Sequence, residues 1–295
     1  MTSAVASGAS ELTDRGVLKM TGDAEGFLHR LVTNSVLKIS PGEGRFTALL
    51  SPQGKLLFDF FIVPLREGAS AGYYLDCPKD QADDLAKRLN FHKLRAKIAI
   101  ENASDRLGVA AFWGALPPEI ANGTLYKDSR AQAMGFRLIA PHDLLAKIAP
   151  ANEESYEAHR IALGVPKGGR DFAYGDAFPH DANLDALHGV DFDKGCYVGQ
   201  EIVARVHFRK TARKRIVKVH FNGPVPASGS PILFGEIAIG EIGSVAGQDG
   251  LASLRLDRFE DAKAAGVKLK AGDATLDVDV PENFLAAAAG AEKRL

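Results

Sequence analysis

The chain has 295 residues, 46% of them hydrophobic and 25% charged, an ordinary composition with enough apolar mass for two or three cores. Its formal net charge of −1 argues against direct nucleic-acid binding, because a general attraction for phosphate needs an excess of Lys and Arg. Two cysteines, Cys77 and Cys196, with no C-x-x-C and no histidine spaced as a partner, predict neither a disulfide framework nor a metal site and suggest a reducing compartment.

The start, Met1 to Ser10, is small and polar, without a basic n-region or an apolar h-region. No apolar run approaches the roughly 20 residues of a membrane span. The expectation is a loose N-terminus, no membrane association and a cytoplasmic protein. After Thr21-Gly22-Asp23, residues Ala24, Phe27, Leu28, Leu31 and Val32 fall on one helix face, with acids in the first turn where the helix dipole favours them. Arg45 to Leu50 and Lys55 to Leu65 read as strands paired across the turn Ser51-Pro52-Gln53-Gly54.

Tyr73 to Leu75 reads as a strand, Asp80 to Leu89 as a helix, and Ile98 to Ile100, Gly108 to Trp113 and Phe136 to Ala140 as further strands, without a strict βαβ period. Gly114 to Gly135, rich in Pro, Gly and Asn, is a poor candidate for core structure. Glu153 to Leu163 is helical by pattern, stopped by Gly164 and Pro166, and Lys167 to His188 is loop-like. Beyond Lys214 come short strands divided by glycines and prolines: Ile216 to Phe221, Pro231 to Phe234, Ile237 to Val245, Leu251 to Leu256 and Ala274 to Val280. Such a series predicts a small antiparallel barrel. The tail Ala286 to Leu295 is alanine-rich and expected to fray.

Chemistry concentrates in Lys194-Gly195-Cys196-Tyr197-Val198-Gly199-Gln200-Glu201. Cys196 has cationic neighbours, and nearby positive charge increases a thiol's thiolate fraction; the competing reading is a small buried hydrophobe. The stretch also reads as a loop entering a helix with Val198, Ile202 and Val206 inward, and Glu201 and Arg205 four apart as a surface ion pair. The basic run from Arg205 to Arg215 reads as a contact strip for RNA or a phosphorylated ligand, a docking surface for an acidic protein, or a charged linker; an interdomain or partner surface is favoured. Asp59 is an acid inside an otherwise apolar strand, which suggests a polar interior cavity or a strand edge. Cys77, before Pro78 at a strand end, is read as packing.

The eight residues from Lys194 to Glu201 resemble the signature of the YgfZ family, folate-binding proteins related to the aminomethyltransferase (T-protein) of the glycine cleavage system. The resemblance runs on through Gly22-Asp23-Ala24, Thr33-Asn34, Gly54 with Asp59, Arg160 with Gly164 and Pro166, Pro179, Asn183-Leu184, Gly240-Glu241-Ile242-Gly243 and Leu251-Ala252. It implies an α+β, three-domain, cloverleaf-like aminomethyltransferase-type fold around a hole that holds tetrahydrofolate or a one-carbon derivative, with a C-terminal antiparallel β-barrel. The expected division is 10–150 as the N-terminal folate-binding region of one or two lobes, 151–212 as the helix and Cys-motif segment, 213–283 as the barrel and 284–295 as the tail.

By the same resemblance Asp59, Asn183 and Arg160 are expected to contact folate. Cys196 is expected to act as a redox thiol or as a ligand shared with a partner, within a motif comprising Lys194, Gly195, Tyr197, Gly199, Gln200, Glu201 and Arg205. The implied function is accessory: support of iron-sulfur enzymes, including tRNA-modifying ones, through client or assembly proteins. The alternative is a folate-dependent aminomethyltransferase or demethylating one-carbon transferase. The chain departs from the T-protein pattern at Ala162, where that pattern has the glutamate that anchors the pterin.

Overall fold

The computed structural model describes residues 7–37, 39–65, 72–117 and 120–284. By contacts the chain divides into two units. The first comprises 1–50, 57–156 and 187–198, the second 51–56, 157–186 and 199–295. The segment 151–212 is therefore shared between the two units.

Unit one is built on two antiparallel sheets. Strands β1 (Gly8–Glu11) and β2 (Arg15–Gly22) open the chain, followed by helix α1 (Ala24–Leu31). Next come β3 (Arg45–Leu50), β4 (Leu56–Pro64), β5 (Gly72–Pro78), α2 (Ala82–Lys93) and β6 (Ile98–Asn102). Then follow β7 (Leu107–Trp113), β8 (Thr124–Lys127), β9 (Phe136–Pro141) and α3 (His142–Ile148). One sheet runs β3-β4-β5-β2-β6 and the other β1-β7-β9-β8.

The apolar side of α1, Ala24, Phe27, Leu28 and Leu31, is buried against Leu18, Met20, Phe60, Leu75 and the α2 residues Leu85 and Leu89, as its periodicity predicts. The turn between β3 and β4 closes with Gly54 N–H donating to Ser51 O and Ser51 N–H to Lys55 O, both at 2.8 Å. Cys77 is fully buried in that core, and burial pushes its thiol up to about 12, in keeping with a packing role.

Two expectations fail in unit one, and one strand goes unread. Residues 8–10 are not loose: β1 pairs with β7 from Gly8↔Trp113 to Glu11↔Ala110. The pairing depends on a missing side chain, since a Cβ on Gly8 would lie 2.2 Å from the Trp113 ring. Gly114 to Gly135 contributes β8 and the fully buried Tyr126, so turn-rich composition hid a core strand. The β2 strand, with Val17, Leu18 and Met20 at 0% exposure, was not legible between its charged neighbours.

Unit two holds the hairpin tip 51–56, the C-terminal part of α4 (Glu153–Ala162), α5 (Gln200–Arg209) and the barrel. The barrel strands are β10 (Lys214–Asn222), β11 (Pro231–Phe234), β12 (Ile237–Ala246), β13 (Asp249–Arg255), β14 (Leu269–Ala271) and β15 (Ala274–Asp279), with α6 (Leu256–Ala264) between β13 and β14. All six strands close in the order β10-β13-β12-β11-β14-β15 over Val219, Phe221, Ile232, Leu254 and Leu276. Closure removes the sheet edges that short strands would otherwise expose. Phe284, assigned from sequence to the tail, is buried on this core with the Arg215 guanidinium 4.5 Å from its ring centre. The remaining tail, 285–295, lies outside the described residues. Among the described residues no helix is long and apolar enough to cross a membrane.

Candidate functional site

The segment leading to Cys196 is fastened to the exit of α1 before it reaches the motif. Thr33 Oγ1 donates to Gly189 O at 2.6 Å and the Asn34 side-chain amide to His188 O at 2.6 Å, while Asp191 N–H donates to Thr33 O at 3.0 Å. A helix end leaves carbonyls without intrahelical donors, and here a lysine supplies them. Lys194 Nζ donates to His29 O (2.6 Å), Val32 O (2.5 Å) and Asn34 O (3.0 Å), a cation where the helix dipole favours one.

Lys194 is buried, and burial pushes its ammonium down to about 8, with Asp191 working in the opposite direction. Tyr197, also buried, presents its ring 5.1 Å from that ammonium; burial, then the Asp191 charge, raises its phenol. Val198 packs against the core of unit one.

Cys196 stands between these anchors as a free, exposed cysteine, which removes the buried-hydrophobe reading. The lysine two residues before it serves chiefly to hold the loop, its side chain turned to carbonyls in the last turn of α1 and just after it. Gly199 adopts φ +80° at the N-cap of α5, a left-handed conformation that glycine takes without a Cβ penalty. The helix follows from Gln200 as expected, but its buried residue is Val203, with Ile202 and Val206 only half-buried: the inward face is rotated by one position from the predicted stripe. Glu201 and Arg205 form the expected exposed ion pair at 2.7 Å, worth little in energy. The basic run ends in structure, because Arg215 is buried and bonded to Asp185 at 2.6 and 2.9 Å.

Asp59 lies on β4 with 6% exposure. Its charge acts on Arg15 and on Cys77, which places it in unit one beside a buried ionic network absent from the sequence reading. Asp76 accepts from Arg15 Nε (2.6 Å), Arg137 Nη1 (2.5 Å) and the Tyr126 hydroxyl (2.7 Å). Asp128 accepts from Arg130 Nη2 (2.6 Å) and Arg137 Nε (3.0 Å). Both arginines reach the Tyr156 hydroxyl, at 3.2 and 2.8 Å, and the Arg137 guanidinium lies 4.7 Å from the Phe61 ring centre. Burial alone would raise Asp128; the Arg130 pair outweighs it and holds the carboxyl at about 2.

Arg160 and Asn183 both belong to unit two. Arg160, 2% exposed, donates from Nε to Glu157 (2.9 Å), from Nη1 to Val165 O and Asp171 (both 3.1 Å), and from Nη2 to Ser244 (2.5 Å) and Glu157. Those bonds engage all five guanidinium N–H groups, so Arg160 holds α4, the loop after it and the barrel together. Asn183, at φ +59°, pairs its amide with the backbone of Ile216, donating at 2.7 Å and accepting at 3.3 Å. Ala162 is exposed at the end of α4. Sequence reasoning also missed His180, Asp185 and His207, whose ligand-type atoms lie within 4.8 Å of one another; burial lowers His180 to about 4, against the pull of Asp185.

Comparison with known proteins adds three findings. The family model for the CAF17 C-terminal beta-barrel domain matches residues 213–284. The chain is 33% identical to the mouse (Mus musculus) mitochondrial iron-sulfur cluster assembly factor IBA57, over 84% of the chain and 78% of that protein. It is 32% identical to the human (Homo sapiens) one, over 74% and 67%, and 33% identical to the Coccidioides immitis homologue, over 76% and 61%. Thus the chain spans about three fifths of the length of the fungal relative. Among solved structures it resembles the glycine cleavage system aminomethyltransferase T from Bartonella henselae, with a TM-score of 0.72 at 14% identity over 94% of the chain and 86% of that one.

The likeness establishes an aminomethyltransferase-like fold, here with a closed six-strand antiparallel barrel. The cytoplasmic expectation is corrected: these relatives are named mitochondrial, and a composition without an evident leader was no basis for a compartment. By identity and coverage, the chain belongs to the family of the IBA57 iron-sulfur cluster assembly factors.

Proposed function

We propose that the chain is an accessory factor in iron-sulfur cluster assembly, and that Cys196 lends its thiolate as a ligand to a cluster, or exchanges with a disulfide and releases that disulfide's other thiolate, on an assembly or client protein, tRNA-modifying enzymes among the clients. The observation that carries the reading is the exposure of Cys196 between two buried anchors, Lys194 and Tyr197. A cluster generally takes about four protein ligands, so a single cysteine acts with donors from elsewhere. The names of the relatives support the same direction.

Tetrahydrofolate, or a one-carbon derivative of it, is the proposed ligand of unit one, with Asp59 as its polar contact. A buried carboxylate beside Arg15 suits a ligand that offers ring N–H donors. Arg160 and Asn183 enter this reading as residues that hold their own unit in shape. With alanine at 162, one-carbon turnover is the less favoured activity.

The test is rescue of iron-sulfur enzyme activity in cells lacking the protein. Cys196→Ala is expected to fold like the wild type and to fail in rescue; full rescue refutes the cysteine role. Calorimetry with tetrahydrofolate tests the ligand separately: Asp59→Asn is expected to weaken binding about tenfold, the loss of one charge-assisted hydrogen bond. Equal affinity in the two proteins removes Asp59 from the site.

A further inference from the structure

Unit two carries a side-chain cluster that neither the cysteine motif nor the folate reading uses. His180 is 2% exposed in the segment after Pro179, Asp185 follows five residues later, and His207 stands exposed in the last turn of α5. His180 Nε2 is 3.9 Å from Asp185 Oδ2, and the two imidazole rings are 6.1 Å apart between centres.

We propose that His180, Asp185 and His207 bind one divalent first-row transition-metal ion, His180 and Asp185 as fixed ligands and His207 as the ligand that closes. Two imidazoles and a carboxylate are a donor set for zinc or iron(II), with coordination positions left open. Magnesium and calcium take oxygen ligands and are disfavoured here. Metal–ligand bonds of roughly 2.0–2.2 Å put donor atoms about 3.3 Å apart, so the cluster has to tighten by about 1 Å. Exposure at a helix end lets His207 make that movement by a change of rotamer.

Arg215 supplies the support that a ligand carboxylate needs. Its Nη1 donates to Asp185 Oδ1 at 2.6 Å and to His180 O at 2.9 Å, and its Nη2 to Asp185 Oδ2 at 2.9 Å. One guanidinium thus fixes the orientation of the carboxylate and the backbone of the first histidine, as outer partners do around metal ligands. A carboxylate offers about four lone-pair positions, so these bonds leave room for a metal. The positive charge of Arg215 opposes the ion, which sets the expected affinity in the micromolar range rather than tighter.

The experiment is an anaerobic titration of the untagged full chain with Co2+, read by its visible ligand-field bands, with Zn2+ added last as a competitor. The wild type and Cys196→Ser are expected to bind one Co2+ alike and to release it to Zn2+. His207→Ala and His180→Gln are expected to bind about tenfold more weakly or worse. Because His207 is exposed, His207→Ala keeps the fold and decides the matter even if His180→Gln does not fold. No saturable binding below millimolar Co2+, undiminished binding in His207→Ala, or loss of binding in Cys196→Ser would each overturn the proposal.

Discussion

Replacing Lys194 by methionine keeps the length of the side chain and removes its ammonium. Three carbonyls, those of His29, Val32 and Asn34, then lose a donor. The helix cannot take over the first of them, because the Thr33 N–H that would complete another turn donates to Ala48 O. A buried acceptor left without a donor costs about 1–3 kcal/mol. Part of that loss is offset, since the methionine variant no longer buries a charge.

A net destabilisation of about 3 kcal/mol follows, a large share of the roughly 5–15 kcal/mol that holds an ordinary domain folded. Urea unfolding followed by circular dichroism should show a lower midpoint with an unchanged slope. Arginine at the same position should not restore it, because a planar fork does not match three carbonyls gathered around a point charge. A Lys194→Met midpoint equal to that of the wild type would refute the clamp.

Arg137→Met should cost about 3–5 kcal/mol by leaving Asp76 and Asp128 buried with fewer counter-charges, whereas Arg205→Met, which breaks only the exposed Glu201 pair, should stay within about 0.5 kcal/mol of the wild type; equal midpoints for the two variants would mean that the network does not hold unit one. Asp128 predicts an acid limb: its folded carboxyl, at about 2 against the ordinary 3.8, binds fewer protons than the unfolded one. Its contribution of about 2 kcal/mol is therefore complete above about pH 4 and is lost as pH falls through about 2. Urea midpoints measured down this range should fall more steeply in the wild type than in Asp128→Asn, and parallel curves would contradict the assignment.

The elements legible in the sequence were those whose local pattern matches their burial. The α1 stripe lies where helical spacing coincides with burial, β3 and β4 are apolar runs buried along most of their length on either side of a turn, and most of the barrel strands are short apolar segments divided by glycines and prolines. What escaped was held by partners remote along the chain. Asp76 sits in Tyr73-Tyr74-Leu75-Asp76-Cys77 and Arg137 in Phe136-Arg137-Leu138, where a lone charge reads as a solvent-facing residue; each is buried because the other is there, 61 residues away. Tyr126 and β8 were hidden in a Gly- and Pro-rich stretch whose composition describes its turns and not the strand between them. At the motif, residue identity located the exposed cysteine, but the use of Lys194 depends on the carbonyls of His29, Val32 and Asn34, about 160 residues earlier.

The spacing of the anchors bears on what a single sulfur can do. Lys194 and Tyr197 are both buried, and between them lie only Gly195 and Cys196, both exposed. Two residues between fixed points have little room to wander, so the position of the sulfur varies mainly with the side-chain torsion of Cys196. A ligand presented in this way loses little conformational entropy when a partner's metal or disulfide engages it, and preorganisation of that kind strengthens binding without any added contact. A cysteine on a slack loop would offer the same chemistry at a higher entropic cost. Within this motif the buried lysine and tyrosine are therefore as much a part of the proposed function as the sulfur, although neither needs to touch what the sulfur binds.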